Sequence, residues 1–205
     1  IPGPAYRIVT SRLVIRCWNP EDAPLHDAAI RASVEHLRPW MPWANDEPKM
    51  LQDRISLLRR FRGAFDLDQT YIYGIFSRDE REVWGGSGLE TGAGERALEI
   101  GYWIHVAHIN QGLATEMAAA LTKVAMEVHR IDRVEIHCDP RNVRSATVPR
   151  KLGYVYEATL RRRSVDYQGQ PRDTMIWSLF REQYADSPAA QAQIEAYDAV
   201  GRRIL

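Results

Sequence analysis

LEIGYWIHVAHINQGLAT, residues Leu98 to Thr115, decides the fold, because one hydrophobic pattern ends in it and another begins. Leu98 to Val106 has the β-branched and aromatic content of a buried strand. Beyond the turn, Leu113, Met117, Leu121, Val124 and Val128 recur at helical spacing and form one apolar face. Between them, Asn110 to Thr115 carries Gly112 and the small residue Ala114. A strand that enters a helix through small residues leaves the first helical N–H groups unpaired, at the positive end of the dipole. Such a turn suits a phosphate or pyrophosphate, and it equally suits a plain strand–helix connection.

The next unit repeats the plan. RVEIHC (Arg133 to Cys138) reads as a strand, and DPRNVRSATVPRKLGY (Asp139 to Tyr154) follows it, setting Asn142, Ser145 and Lys151-Leu152-Gly153-Tyr154 in order. Pro149 removes an N–H that would bond the carbonyl of Ser145, so this helix is expected to be short. Strand, glycine turn, helix, strand, then N-x-x-S and K-L-G-Y resembles the GNAT acetyltransferase superfamily, in its RimJ/RimL type. TSRLVIRCW (Thr10 to Trp18), LRPWMPW (Leu37 to Trp43) and EIGYWI (Glu99 to Ile104) extend the resemblance, which runs from about Thr10 to Glu182. It implies an α/β (α+β) fold with a mixed, mostly antiparallel central sheet flanked by helices.

The rest of the chain is consistent with one domain. At 205 residues it is long enough to bury a substantial core. Residues 1–185 are expected to form the GNAT domain and 186–205 a C-terminal helical tail, where Ile194, Tyr197 and Ile204 suggest an amphipathic helix. Leu13, Ile15 and Cys17 alternate as the first strand; a helix follows from Asn19-Pro20 to about Glu35, and a second spans Lys49 to about Phe65. Strands are expected near Tyr71–Ser77, Val83–Glu90, Tyr154–Val165 and Asp173–Phe180, the last two joined by the turn Gln168 to Pro171.

Composition narrows the function. Lys plus Arg and Asp plus Glu both number 27, so the overall field does not favour nucleic acid. No apolar run approaches the roughly 20 residues that span a bilayer, and IPGPAYR has no signal-like apolar core. Cys17 and Cys138 form no disulfide framework, so a cytoplasmic setting is the expectation. Cys138, on a strand face with Val134 and Ile136, reads as a core thiol. His105 and His108 find no Cys or carboxylate cluster to complete a metal set.

The resemblance implies acetyl-CoA as co-substrate, no metal, and direct acetyl transfer to an amine. The backbone N–H groups of Gln111, Gly112, Leu113, Ala114 and Thr115 would hold the pyrophosphate; the family pattern has Gln or Arg at 109, where this chain has Ile109. Ile104, His105 and Val106, at the strand end, would pair with the pantetheine arm as an added strand. Asn142 either bonds that arm or caps its helix. Ser145 either protonates the leaving thiolate or is a first-turn serine. Glu99 is either the base, direct or through water, or an ion-paired strand carboxylate. Trp40, Trp43 and Tyr102 are candidates for the acceptor wall, the two tryptophans having core packing as their alternative.

A protein N-terminal α-amine has a pKa near 7.7–8.0 against 10.4 for lysine, a difference of roughly 3 kcal/mol in deprotonation. A lone carboxylate base therefore suits an N-terminus, or a small-molecule amine such as an antibiotic, polyamine or amino-acid-like compound. A silent acyl-CoA-binding module is the non-enzymatic alternative. The chain would act as a monomer or homodimer.

Overall fold

The computed structural model describes residues 3–205, so the first two residues of the segment read for a signal sequence lie outside it. Among the described residues nine strands form one sheet: β1 Arg7–Val9, β2 Leu13–Cys17, β3 Tyr71–Ser77, β4 Val83–Glu90, β5 Ala97–Ile104, β6 Arg133–Cys138, β7 Val155–Val165, β8 Pro171–Phe180 and β9 Glu195–Tyr197. Their order is β7-β8-β6-β5-β4-β3-β2-β1-β9. Every neighbouring pair is antiparallel except β5 and β6. The helices are α1 Ala23–Leu37, α2 Leu51–Asp66, α3 Leu113–Glu127, α4 Val143–Lys151 and the single turn α5 Arg181–Tyr184.

Period-two alternation sends side chains to opposite faces of the sheet. Leu13, Ile15, Leu98 and Ile100 join Leu113, Met117, Leu121 and Val124 of α3 in the larger core. Val14, Phe76 and Val83 face the other way, onto Ala29 of α1 and Leu58 of α2. Met117, Leu121 and Val124 are fully buried, and each such side chain contributes about 1.5–3 kcal/mol by leaving water.

The expected tail helix does not form. Pro188–Gln191 is a 3₁₀ turn, and β9 pairs antiparallel with β1, with Ala196 wholly buried. Ile204 returns its N–H to the carbonyl of Ala196 at 2.8 Å, and the Lys123 ammonium donates to the carbonyls of Ala190 and Ala192. The physical reason is the sheet edge: β1 presents a row of backbone groups that need partners, and the tail supplies them.

The parallel pair positions the site. Its register covers only Ala97–Glu99 against Arg133–Glu135. Past Glu99 the two strands part, and the β5 edge from Gly101 to Ile104 has no pairing with β6. A wedge opens there between the N-terminal ends of α3 and α4.

Candidate active site

A groove of about 580 Å³ occupies this wedge. Ile109, Asn110, Gly112, Leu113, Ala114 and Thr115 line one side, and Asn142, Ser145 and Lys151 line the other. Gly112 caps α3 with φ +79°, left-handed backbone that glycine adopts without cost. No side chain caps this end, and the first α3 amide bonded within the helix is that of Glu116, to the Gly112 carbonyl. The N–H groups of Leu113, Ala114 and Thr115 are therefore free for an anion. Ile109 lines the groove and packs partly buried against the core, so position 109 offers it no polar side chain.

Sequence reading missed a neighbour of this turn. The Arg12 guanidinium donates to the Gln111 carbonyl at 2.8 Å and pairs with Glu116 at 2.6 Å, so the residue just before β2 pins the turn. Arg144 and Lys151 also line the groove and have no ion-pair partner among the described residues. Cations beside unpaired helix amides suit a polyanion.

The strand end differs from expectation. His105 donates its N–H to the Trp84 carbonyl at 2.8 Å, and Val106 donates to the Ser33 hydroxyl at 3.0 Å. Their amides are thus already bonded, because the chain turns into a 3₁₀ segment after Ile104. The open edge available to an added strand is Gly101–Ile104, not His105–Val106.

Opposite it, Asn142 caps α4: its Oδ1 accepts the N–H of Ser145 at 3.1 Å. No hydrogen bond occupies its side-chain amide among the described residues, so capping and ligand binding are compatible. Ser145 Oγ lies 2.9 Å from the Tyr102 hydroxyl, which also reaches the Ser145 carbonyl at 3.3 Å. Pro149 explains that second contact. It has no N–H for the Ser145 carbonyl, and the phenol of Tyr102 supplies the donor. The helix ends two residues later, at Lys151, as the proline implied. Burial pushes the Tyr102 phenol well above its usual range, against the lowering effect of Ser145. Burial likewise raises the Cys138 thiol to about 11, so it stays protonated and unreactive.

A second cavity, of about 250 Å³, lies under α1 and α2. Met41, Tyr102 and Trp103 line both it and the groove. Its floor is glycine. A Cβ at Gly86 would fall 2.5 Å from Trp103 Nε1, so the indole can lie across β4 only because residue 86 has no side chain. The two loop tryptophans separate: Trp43 packs edge-on to Trp103 at 6.3 Å and lines the cavity, whereas Trp40 lines the groove.

The carboxylates lie on the cavity side of the sheet. Glu99 is 3.2 Å from His137 Nδ1, and His137 Nε2 is 2.6 Å from Glu135. Glu90, directly opposite Glu99 in register, extends over Gly101, where an added Cβ would meet its Oε1 at 3.0 Å. Gly101 lines the cavity. Glu90 has no hydrogen-bond or ion-pair partner among the described residues. Partial desolvation raises the carboxyl of Glu90, which stays exposed at the end of β4, and burial raises that of Glu99, with His137 opposing the rise there. Glu90 was not singled out from sequence, since only the β4–β5 register brings it to Gly101. No group of three or more His, Cys, Asp or Glu among the described residues is arranged to hold a metal ion, and none of their helices is long and apolar enough to cross a membrane.

A helix-start turn with unpaired amides at a parting parallel pair, facing a capping Asn and a Ser, is a specific constellation, and residues 12–155 match the acetyltransferase (GNAT) domain family. The chain belongs to the GNAT acetyltransferase family. As a GNAT enzyme it is similar to the [ribosomal protein uS5]-alanine N-acetyltransferase of Escherichia coli (strain K12), at 26% identity over 184 residues, covering 86% of this chain and 91% of the relative. Its fold is shared with RimJ of Mycobacterium smegmatis in complex with CoA-disulfide (TM-score 0.76, 23% identity, covering 93% of this chain and 91% of that one). RimL, a ribosomal L7/L12 α-N-protein acetyltransferase in complex with coenzyme A, shares it as well (TM-score 0.77, 18% identity, covering 84% and 96%).

Proposed function

We propose that this GNAT enzyme transfers the acetyl group of acetyl-CoA directly to a primary amine, a protein N-terminal α-amine being the acceptor. One observation carries the reading: the groove and the cavity meet at Met41, Tyr102 and Trp103. A thioester lying in the one and an amine in the other would face each other there. The names of the ribosomal-protein acetyltransferase relative and of RimL support an N-terminal acceptor.

The residues fit acetyl-CoA. The amides of Leu113 to Thr115 face the pyrophosphate, with Arg144 and Lys151 as nearby cations. The Asn142 side-chain amide and the Gly101–Ile104 edge serve the amides of the pantetheine arm. The bound co-substrate supplies an activated acetyl carbonyl. The amine nitrogen attacks that carbonyl and the C–S bond breaks. The amine's proton would pass to Glu90 or Glu99 and from there to solvent, and the thiolate would take a proton through Ser145, whose hydroxyl is bonded to Tyr102 and is reprotonated from solvent. Thiol release from acetyl-CoA with a panel of peptides tests the reading; no release with any free N-terminus ends it.

Two variants refine the roles. Gly112→Val is expected to weaken acetyl-CoA binding at least about tenfold, since a branched side chain strains the left-handed turn and crowds the phosphates. Unchanged affinity by calorimetry, in a folded variant, removes the pyrophosphate from this turn. The raised carboxyls set the acid limb of kcat/KM: activity falls as pH drops through a base pKa lying above the usual 4.5. Glu90→Gln and Glu99→Gln are each compared with wild type across pH. The residue whose loss lowers kcat/KM by about 10²-fold or more and removes that limb is the base. A profile parallel to wild type for both variants assigns it elsewhere.

A further inference from the structure

The cavity under α1 and α2 has a chemistry that selects its occupant. Trp18, Trp43, Trp103, Phe61, Ile30 and Ile72 give it an aromatic and aliphatic wall. Its buried charges cancel: Glu47 and Arg54 form a two-armed pair at 2.9 and 2.6 Å. His26, edge-on to Trp18 at 4.8 Å, is 5% exposed, and its Nδ1 has no partner. Burial, then the Arg54 charge, lowers its pKa to about 3, so it lines the cavity as a neutral ring. Lys49 is half-exposed at the wall, where its ammonium stays with water. At the Gly101 floor the surroundings change sign: Glu90, Glu99 and Glu135 share that sheet face. A cationic amine is drawn to the carboxylates, and a charged group is refused by the aromatic interior.

The geometry points to this cavity as the pocket for a large apolar or aromatic side chain, carried by the acceptor on the carbon next to its amine. This rests on the proposed acetyl transfer to an N-terminal amine and names the first residue it favours: Leu or Phe over the alanine in the relative's name. The cavity and the groove share Met41, Tyr102 and Trp103 as lining, so a side chain seated in the one would hold its own amine beside a thioester in the other. Removing a Leu or Phe side chain from water into such a site favours it over Ala by about ten- to a hundredfold in kcat/KM.

The test uses peptides identical except for a first residue of Ala, Ser, Asp, Leu or Phe, together with phenethylamine. Thiol release gives kcat/KM, and calorimetry on the CoA-saturated protein gives phenethylamine binding independently of turnover. Leu57, also on the wall, is changed to Trp to fill the space, with acetyl-CoA binding as the check on folding. The expected result is a preference of at least about tenfold for Leu and Phe that Leu57→Trp abolishes. Acetylation of phenethylamine but of no peptide supports the pocket and overturns the N-terminal reading. Equal values for all peptides, or a preference for Asp, overturns the pocket and leaves that reading standing. Absence of phenethylamine binding also overturns the pocket.

Discussion

Ser145→Ala is expected to lower turnover by about 10²–10⁴-fold, the usual contribution of a positioned general acid, while the KM for acetyl-CoA changes little. The serine hydroxyl is fixed from two directions. Asn142 holds its backbone in the first turn of α4, and the Tyr102 hydroxyl holds Oγ at 2.9 Å. Tyr102 is itself retained by the carbonyl that Pro149 leaves free, so three separate sequence features converge on one residue. Tyr102→Phe should therefore lower turnover as well, by misplacing the serine. Steady-state kinetics on both variants decides the assignment. Wild-type turnover in Ser145→Ala with a collapse in Tyr102→Phe would make the phenol the donor, and wild-type turnover in both would place the proton source elsewhere.

The largest stability effect is expected at Arg54. Its side chain is 1% exposed and that of Glu47 2%, and a second carboxylate, Asp27, approaches at 3.3 Å. Arg54→Met leaves the Glu47 charge buried and unpaired, a cost of about 3–5 kcal/mol. That is a large part of the 5–15 kcal/mol that typically holds a domain folded. Thermal melting should fall on the order of 10 °C for a chain of this size. Adding Glu47→Leu should recover most of the loss, because a buried pair replaced on both sides by apolar groups is often neutral. A single variant that melts like wild type would show the pair to be solvated. The pair also matters for the site. Glu47 closes the loop that carries Trp43, so Arg54→Met should raise the KM of the acceptor more than that of acetyl-CoA.

Legibility followed the range of the interaction. The alternation of Leu13, Ile15 and Cys17 in β2 and the four-four-three spacing of α3 carry their own structure, because which face a residue occupies is set by neighbours two to four positions away. β1 and β9, three residues each, are too short to show a period, and the tail's apolar residues mimic a helix that the waiting edge of β1 overrides. Trp40 and Trp43 lie in one motif, yet a proline-bent loop sends them to different cavities. Glu99 stood out within EIGYWI, whereas Glu90 needed the register of two strands to bring it over Gly101.

By itself the sequence determined the order of strands and helices from β2 to β8, the glycine turn at the start of α3, Asn142 as a candidate cap, the short helix imposed by Pro149 and, through its motifs, the GNAT resemblance. Each of these depends on backbone chemistry within a turn or two. Tertiary structure alone decided that β5 and β6 part after Glu99, that Arg12 braces the turn, that Tyr102 meets Ser145, and that an aromatic cavity shares lining residues with the groove. Those contacts join residues far apart in the chain. Their partners are chosen by how whole elements pack together, and no local period records that choice.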